Sequence, residues 1–445
     1  MKAKSSRIDR RQLLRLAGLG MTAVVAEQLL SGCAVNPVTG ENQLMMVSEG
    51  EELQIDRRQS PRQFSNDYGP TQDARLNQYV NQVGREVAAR SHRPGMPYSF
   101  RVVNAPHINA YAFPGGSIAA TRGILAEMEN EAELAALFGH EIGHVAARHT
   151  AQQASKGMLT NMVLTGATIA TSAAGYGAGA DLIQNLGGLG AGAYLASYSR
   201  DHEREADALG MRYMTAAGYT PAGMVDLMQV LVENNRRRPS ALEMMFSTHP
   251  MSNERLATAR KEVATTYSAY TNQRVNRERY MDETASVRKL KPMLDALQKG
   301  SAAMNRKNAN EAGRYFQQAL QQKPDDYTAL LMMAKYRMSV RDNKAAERFA
   351  RQAMQVYPQE AQAYLVSGVT ALNNRNYSAA YQTLTQYDRI MPGNIQVQFY
   401  EGYALEKMDR IREASAKYAT FLRYQRQGRE AQYAYQRLQS WGYVR

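Results

Sequence analysis

One cysteine and seven histidines in 445 residues leave this chain with few thiols and imidazoles to bind metals or attack carbonyls. The single thiol, Cys33, excludes a disulfide within the chain, and no other cysteine is present to act as a nucleophile or a metal ligand. No nucleic-acid-binding module accompanies the formal charge of +13, so the basic surplus reads as a solvated surface and nucleic acid is not expected as a partner. Long apolar runs are missing too. Gly157 to Ala180 carries no charge and is long enough to cross a bilayer, but its Gly, Thr, Ser and Asn content argues against a span.

What is present is ample for ordinary cores: 44% apolar residues over 445 positions predict two or three globular domains. Residues 1–33 read as an export segment, with a basic start, a modest apolar stretch from Leu13 to Leu30, and then Leu30-Ser31-Gly32-Cys33. Six basic residues there against Asp9 and Glu27 account for +4 of the charge, leaving +9 for the rest. Leu-Ser-Gly-Cys resembles a bacterial lipobox, which would make Cys33 the lipid-modified first residue of a peripheral, periplasm-facing protein. Ala34 after it fits outer-membrane sorting. Asp9-Arg10-Arg11-Gln12-Leu13-Leu14 resembles a twin-arginine signal, although paired arginines also occur in general secretory signals.

The chemistry concentrates in His140-Glu141-Ile142-Gly143-His144, inside a run of helical composition. A spacing of i,i+4 stacks the two imidazoles on one face, where both can reach one zinc ion. Glu141, one position along, lies where a carboxylate can take a proton from a zinc-bound water. A catalytic zinc needs a third ligand and an open position. The best candidate is Glu203, in a second helical pattern, with Asp207 on the same face to accept the outer N–H of a ligand histidine. Glu205 is expected to face solvent and pair with Arg204 or Arg200, and His202 is a ligand by type that turns away if Glu203 faces the metal.

Together with Asn109-Ala110-Tyr111-Ala112-Phe113-Pro114-Gly115-Gly116 upstream and Ser247-Thr248-His249-Pro250 downstream, these motifs resemble the zinc metallopeptidase family that contains HtpX and the CAAX prenyl protease. The resemblance covers about residues 40 to 260 and is strongest to the soluble branch with helical repeats after the protease. It implies Glu203 as third ligand, unfolded or misassembled envelope proteins as substrates, and the outer-membrane protein assembly machinery as a partner of the repeats. His249 is open to three readings: a surface residue, a fourth ligand that displaces the catalytic water, or a donor to the developing oxyanion.

Around these motifs, helices are expected near Ser48 to Gln59, near Leu76 to Gly84, and from Thr220-Pro221 with threonine as N-cap. Tyr98 to Val103 alternates like a strand, and Ala110 to Ala120 is the candidate edge for holding an extended substrate. His107 reads as a turn residue, and 157–180 as a glycine-rich lid with Gly187 to Gly190 as its hinge.

Pro324, Pro358 and Pro392 are spaced by 34 residues; Gly300, Gly368 and Gly402, with Ala334 filling the gap, and Ala312, Ala346, Ala380 and Ala414 keep the same period. That is the tetratricopeptide period, and it predicts four repeats from about Lys291 to Gly428 with a capping helix ending near Trp441. Tyr377, Tyr381 and Tyr387 either line the concave face or pack between repeats. The expected protein is thus mainly α: an export segment (1–33), a zincin-type α+β metalloprotease domain with a small sheet (34–290), and an all-α solenoid (291–445). The alternative is a non-catalytic chaperone or adaptor whose function lies in the repeats.

Overall fold

The computed structural model describes residues 33–155 and 198–444. The export segment before Cys33, the 157–180 lid and its 187–190 hinge lie outside them. Among the described residues, no helix is long and apolar enough to cross a membrane.

A short ribbon, β1 (Cys33–Val35) with β2 (Asn42–Leu44), leads into α1 (Glu49–Asn66) and α2 (Ala74–Ala88). Ser48 and Glu51 start α1 with a reciprocal capping box. The helix continues past the Gln59 expected as its end, through Pro61 to Asn66. Proline removes a ladder bond, but Ser60, Gln63, Phe64 and Ser65 are buried, and that packing holds the last turns.

β3 (Ser99–Val103), β4 (Ala110–Ala112) and β5 (Ser117–Thr121) form one sheet in the order β3-β5-β4, with β5 parallel to β3 and antiparallel to β4. β3 and β4 are therefore its two edges and β5 is central. The Ala110–Ala120 stretch expected as an edge is a hairpin whose second strand is central.

After the short α3 (Arg122–Leu125), Asn130 caps α4 (Glu131–Ala146), accepting from the Glu133 N–H at 3.0 Å. All of α4 is buried, as befits a helix with apolar residues on every side. It stops where Arg148 takes a left-handed backbone (φ 59°), and residues 149–155 turn helical again.

The amino-terminal half continues with α5 (Arg200–Ala216), α6 (Ala222–Arg237), α7 (Pro239–Thr248), α8 (Asn253–Ala264), α9 (Arg277–Glu283) and α10 (Ala285–Lys289). Thr220 does not cap α6 as expected. Its hydroxyl donates instead to the Thr271 carbonyl at 3.0 Å.

From Lys291 the chain is helical hairpins: α11 (Lys291–Asn305) with α12 (Ala309–Gln322), α13 (Tyr327–Ser339) with α14 (Asn343–Val356), α15 (Gln362–Asn373) with α16 (Tyr377–Ile390), and α17 (Ile395–Glu406) with α18 (Ile411–Tyr424). α19 (Arg429–Ser440) closes the stack. The periodic small residues lie at the crossings, where Gly300 faces Phe316, Gly368 faces Leu384 and Gly402 faces Tyr418. Lys307, Arg341, Arg375 and Asp409, again one repeat apart, take left-handed turns, and Asn308, Asp342 and Asn376 cap the helices that follow three of them. Tyr387 is buried, and Tyr377 and Tyr381 pack against an apolar cluster of Ala371, Ala380 and Ala404, so these tyrosines serve packing.

The repeats are docked on the amino-terminal half. One apolar core runs from Tyr68 to Leu438. Arg122 forms a two-pronged pair with Asp326 (2.7 and 3.3 Å), Thr328 donates to the Asn104 carbonyl (3.1 Å), and Glu360 accepts from the Ser65 hydroxyl.

Candidate metal centre

α4 and α5 cross so that side chains distant in sequence converge. His140 and His144, one turn apart on α4, present their Nε2 atoms 3.1 Å from each other. Ser199 caps α5 by accepting from the His202 N–H, and that first turn carries Glu203 inward. One Glu203 oxygen lies 3.3 Å from His144 Nε2 and the other 3.6 Å from His140 Nε2. His249, following α7, brings Nδ1 to 3.4 Å from His140 Nε2 and 3.0 Å from Glu203.

These four residues are buried, and their ligand atoms lie within 4.8 Å of one another. A tetrahedral ion with bonds of roughly 2.0–2.1 Å holds its ligands about 3.3–3.4 Å apart, and the separations found here, 3.0 to 3.6 Å, bracket that value. Three imidazole nitrogens and one carboxylate suit a divalent transition ion.

Glu141 is fully buried, and among the described residues neither of its oxygens has a hydrogen-bond partner. The nearest cation-forming group is His249, with Nε2 at 3.8 Å. A buried carboxylate without partners is costly, and a polar ligand beside the metal would relieve that cost. Burial raises the Glu141 carboxyl above its ordinary value, against the lowering influence of His249 and His140.

Asp207 lies 3.0 Å from His140 Nδ1, as its place on the Glu203 face implies. Burial alone would raise its carboxyl, but hydrogen bonds with His140 and Arg255 hold it below the ordinary value. Arg255 binds both Asp207 oxygens (2.6 and 2.7 Å) and reaches Glu203 at 2.6 Å. It opens α8, where Ser252 caps its N–H at 3.2 Å, and it ties both acidic members of the site to the turn that carries His249.

The sequence pattern missed Arg255, His149 and Tyr198. Tyr198 stacks on the His144 ring at 3.7 Å, and His149 Nδ1 lies 2.9 Å from His144 Nδ1. Glu205 corrects the expectation of a solvated partner for Arg204 or Arg200. It meets His149 Nε2 at 3.1 Å, while Arg204 pairs with Asp201 and Glu254. His202 is not a ligand in this arrangement; it stacks on His149 at 4.3 Å. Five of the seven histidines (140, 144, 149, 202 and 249) thus gather here. His107 sits apart, 3.5 Å from Asp67.

Residues 74–263 match the family described as Peptidase family M48. Over 192 residues the chain is 33% identical to the Beta-barrel assembly-enhancing protease of Yersinia pestis, covering 42% of this chain and 39% of that one. The same-named protein of Escherichia coli (strain K12) is 30% identical over the same shares. Metalloprotease LoiP of Escherichia coli (strain K12) is 30% identical over 181 residues, 41% of this chain and 66% of that one. The match therefore spans well under half the length of the first two relatives. Among solved structures, YrrB, titled a TPR protein with an unusual peptide-binding site, aligns at 12% identity and a TM-score of 0.32 over 48% of this chain and 99% of that one.

Proposed function

We propose, from the match of residues 74–263 to peptidase family M48, that this chain is a zinc metalloendopeptidase of the cell envelope, held at the outer membrane by a lipid on Cys33. Its substrates are unfolded or misassembled envelope proteins, and its repeats recruit a partner or substrate, with the outer-membrane protein assembly machinery as the candidate. Residues 34–290 carry the protease and 291–445 the repeats. Export follows the signal in residues 1–33, by the twin-arginine route that its paired arginines suggest.

The observation that carries this reading is the pairing of a four-donor cage with the buried, unpartnered Glu141 carboxylate one residue along the same helix. His140, His144 and Glu203 would hold zinc, with His249 as the removable fourth donor. A zinc ion held there would supply polarisation of the scissile carbonyl and a water nucleophilic at neutral pH. Glu141 would accept a proton from the attacking water and later deliver it to the leaving amine; its raised affinity for protons suits a base that must also act as an acid. Asp207, kept ionised by Arg255, holds His140 with its proton on Nδ1 and leaves Nε2 free to ligate. Swung off the metal, His249 would serve as a donor to a developing oxyanion.

The test compares degradation of an unfolded model protein by wild type and Glu141→Gln, with zinc content measured in both. Glu141→Gln is expected to keep zinc and lose cleavage by on the order of a hundredfold or more. Cleavage at the wild-type rate would sink the enzyme reading. Partner binding that persists without any wild-type cleavage would favour the chaperone or adaptor alternative.

A further inference from the structure

The two ligand histidines are supported differently on their outer sides. His140 turns Nδ1 directly to a carboxylate, Asp207, at 3.0 Å. His144 turns Nδ1 to another imidazole, His149 Nδ1, at 2.9 Å. His149 is fully buried, and its Nε2 lies 3.1 Å from Glu205 Oε2.

The protons on this chain follow from geometry. His144 Nε2 faces His140 Nε2 at 3.1 Å and Glu203 at 3.3 Å, so it is the nitrogen turned to the metal position and must carry a lone pair. The His144 proton is then on Nδ1. Two nitrogens 2.9 Å apart share one proton between them, so His149 Nδ1 is the acceptor. A neutral His149 keeps its own proton on Nε2, facing a carboxylate oxygen, which can only accept. Every donor thus meets an acceptor in a single direction, from His144 through His149 to Glu205. The flanking rings hold the planes: Tyr198 stacks on His144 at 3.7 Å and 19°, and His202 on His149 at 4.3 Å and 14°.

We propose that His149 and Glu205 are positioning residues for the metal ligand His144, a two-membered relay in series that fixes its tautomer and ring orientation as Asp207 does for His140. The left-handed turn at Arg148 makes the relay possible, because it ends α4 after its second ligand and brings the next helical segment back with His149 at its start. Glu205, two residues after Glu203 on α5, reaches the far side of His149 while Glu203 reaches the metal position. One helix therefore supplies both a ligand and the end of the support for another ligand. The inference rests on the reading of His140, His144 and Glu203 as zinc ligands.

Zinc affinity, measured by competition with a chromophoric chelator on the full chain, tests it without recourse to proteolysis. Glu205→Ala and His149→Phe are each expected to weaken zinc binding by roughly 10–100-fold, the usual effect of losing an outer partner of a ligand histidine. Glu205→Gln keeps an accepting oxygen and should recover much of the loss. Because the relay is in series, adding Glu205→Ala to His149→Phe should weaken binding no further, whereas adding it to Asp207→Asn should compound the two losses. Melting in excess chelator separates this from damage to the fold, and Glu205→Ala, at a half-exposed position, should melt like wild type there. Wild-type affinity in Glu205→Ala, or a further loss when it is added to His149→Phe, overturns the relay while leaving the zinc reading standing. Absence of zinc binding by the wild type overturns both.

Discussion

Gly139 and Gly210 meet backbone to backbone where α4 crosses α5. A Cβ on Gly139 would lie 2.8 Å from the Gly210 carbonyl oxygen, and one on Gly210 would lie 2.7 Å from the His140 amide nitrogen. One turn further along, a Cβ on Gly143 would lie 3.0 Å from the Ala206 carbonyl oxygen. The cage draws His140 and His144 from one helix and Glu203 from the other, so its dimensions depend on this approach.

Gly210→Ala should therefore separate the helices and act on stability and metal affinity together. Overpacking at such a contact costs roughly 1–3 kcal/mol. The expected outcome is a lower melting temperature and weaker zinc binding by chelator competition, although residue 210 touches no metal ligand side chain. Unchanged zinc affinity in a clearly destabilised Gly210→Ala protein would mean that the cage does not depend on the crossing.

Glu203→Gln removes the one carboxylate of the cage and leaves Arg255, which now binds both Glu203 and Asp207, with one acid fewer. Zinc occupancy and cleavage should fall together, and affinity should drop by more than the roughly 10–100-fold expected for an outer partner. Zinc content and peptide cleavage on the same preparation check this. Full occupancy with activity intact would remove Glu203 from the ligand set.

The HEIGH stretch and Glu203 with Asp207 were legible because a helix converts i,i+4 spacing into a shared face whatever surrounds it. The repeats were legible because Gly300, Gly368 and Gly402 mark the same crossing again and again. A further set was open to the same reading: Asn308, Asp342 and Asn376 recur at the repeat period as caps. Arg255 was not legible, since its role depends on meeting acids 48 and 52 residues away. Glu205 was misjudged because its neighbours Arg204 and Arg200 suggested a local pair, whereas a partner 56 residues distant claims it. β4 is only three residues long and sits at the edge through pairing alone, which no alternation could reveal.

Arg122 and Asp326 join the amino-terminal half to the repeats with side chains only 6% and 7% exposed. Arg122 also donates to the Asn104 carbonyl, and Asp326 caps α13 by accepting from the Ala329 N–H at 2.9 Å. Breaking a buried pair by removing one partner costs roughly 3–5 kcal/mol. Arg122→Ala should lower the melting temperature by several degrees and loosen the docking, read as faster hydrogen exchange in α13. Melting and exchange like wild type would show that the apolar core alone holds the two halves together.

His249 sits where a zinc protease needs an opening. Its Nδ1 is 3.0 Å from Glu203 and 3.4 Å from His140 Nε2, inside the separations of a complete tetrahedral set. A site closed by four protein ligands is the arrangement of a structural zinc, whereas a catalytic one keeps a position for water or substrate. On the proposed reading, cleavage would require His249 to withdraw. The turn that carries it lies between α7 and α8, fastened on one side by the His249 N–H to the Met245 carbonyl at 2.7 Å and by the Tyr198 N–H to the Thr248 carbonyl at 3.0 Å. On the other side Arg255 donates to the Pro250 carbonyl at 3.0 Å. Withdrawal is thus a movement of a short turn against a few hydrogen bonds. If the open form is a minor state populated at roughly 0.1–10%, His249→Ala should raise basal proteolysis by at least about tenfold. Zinc content should change little, because His140, His144 and Glu203 are retained. Self-cleavage within the glycine-rich 175–192 stretch, followed by mass spectrometry, gives a readout that needs no added substrate. Lower turnover on every substrate with zinc retained would instead make His249 a donor to the oxyanion, and unchanged turnover would remove it from the mechanism.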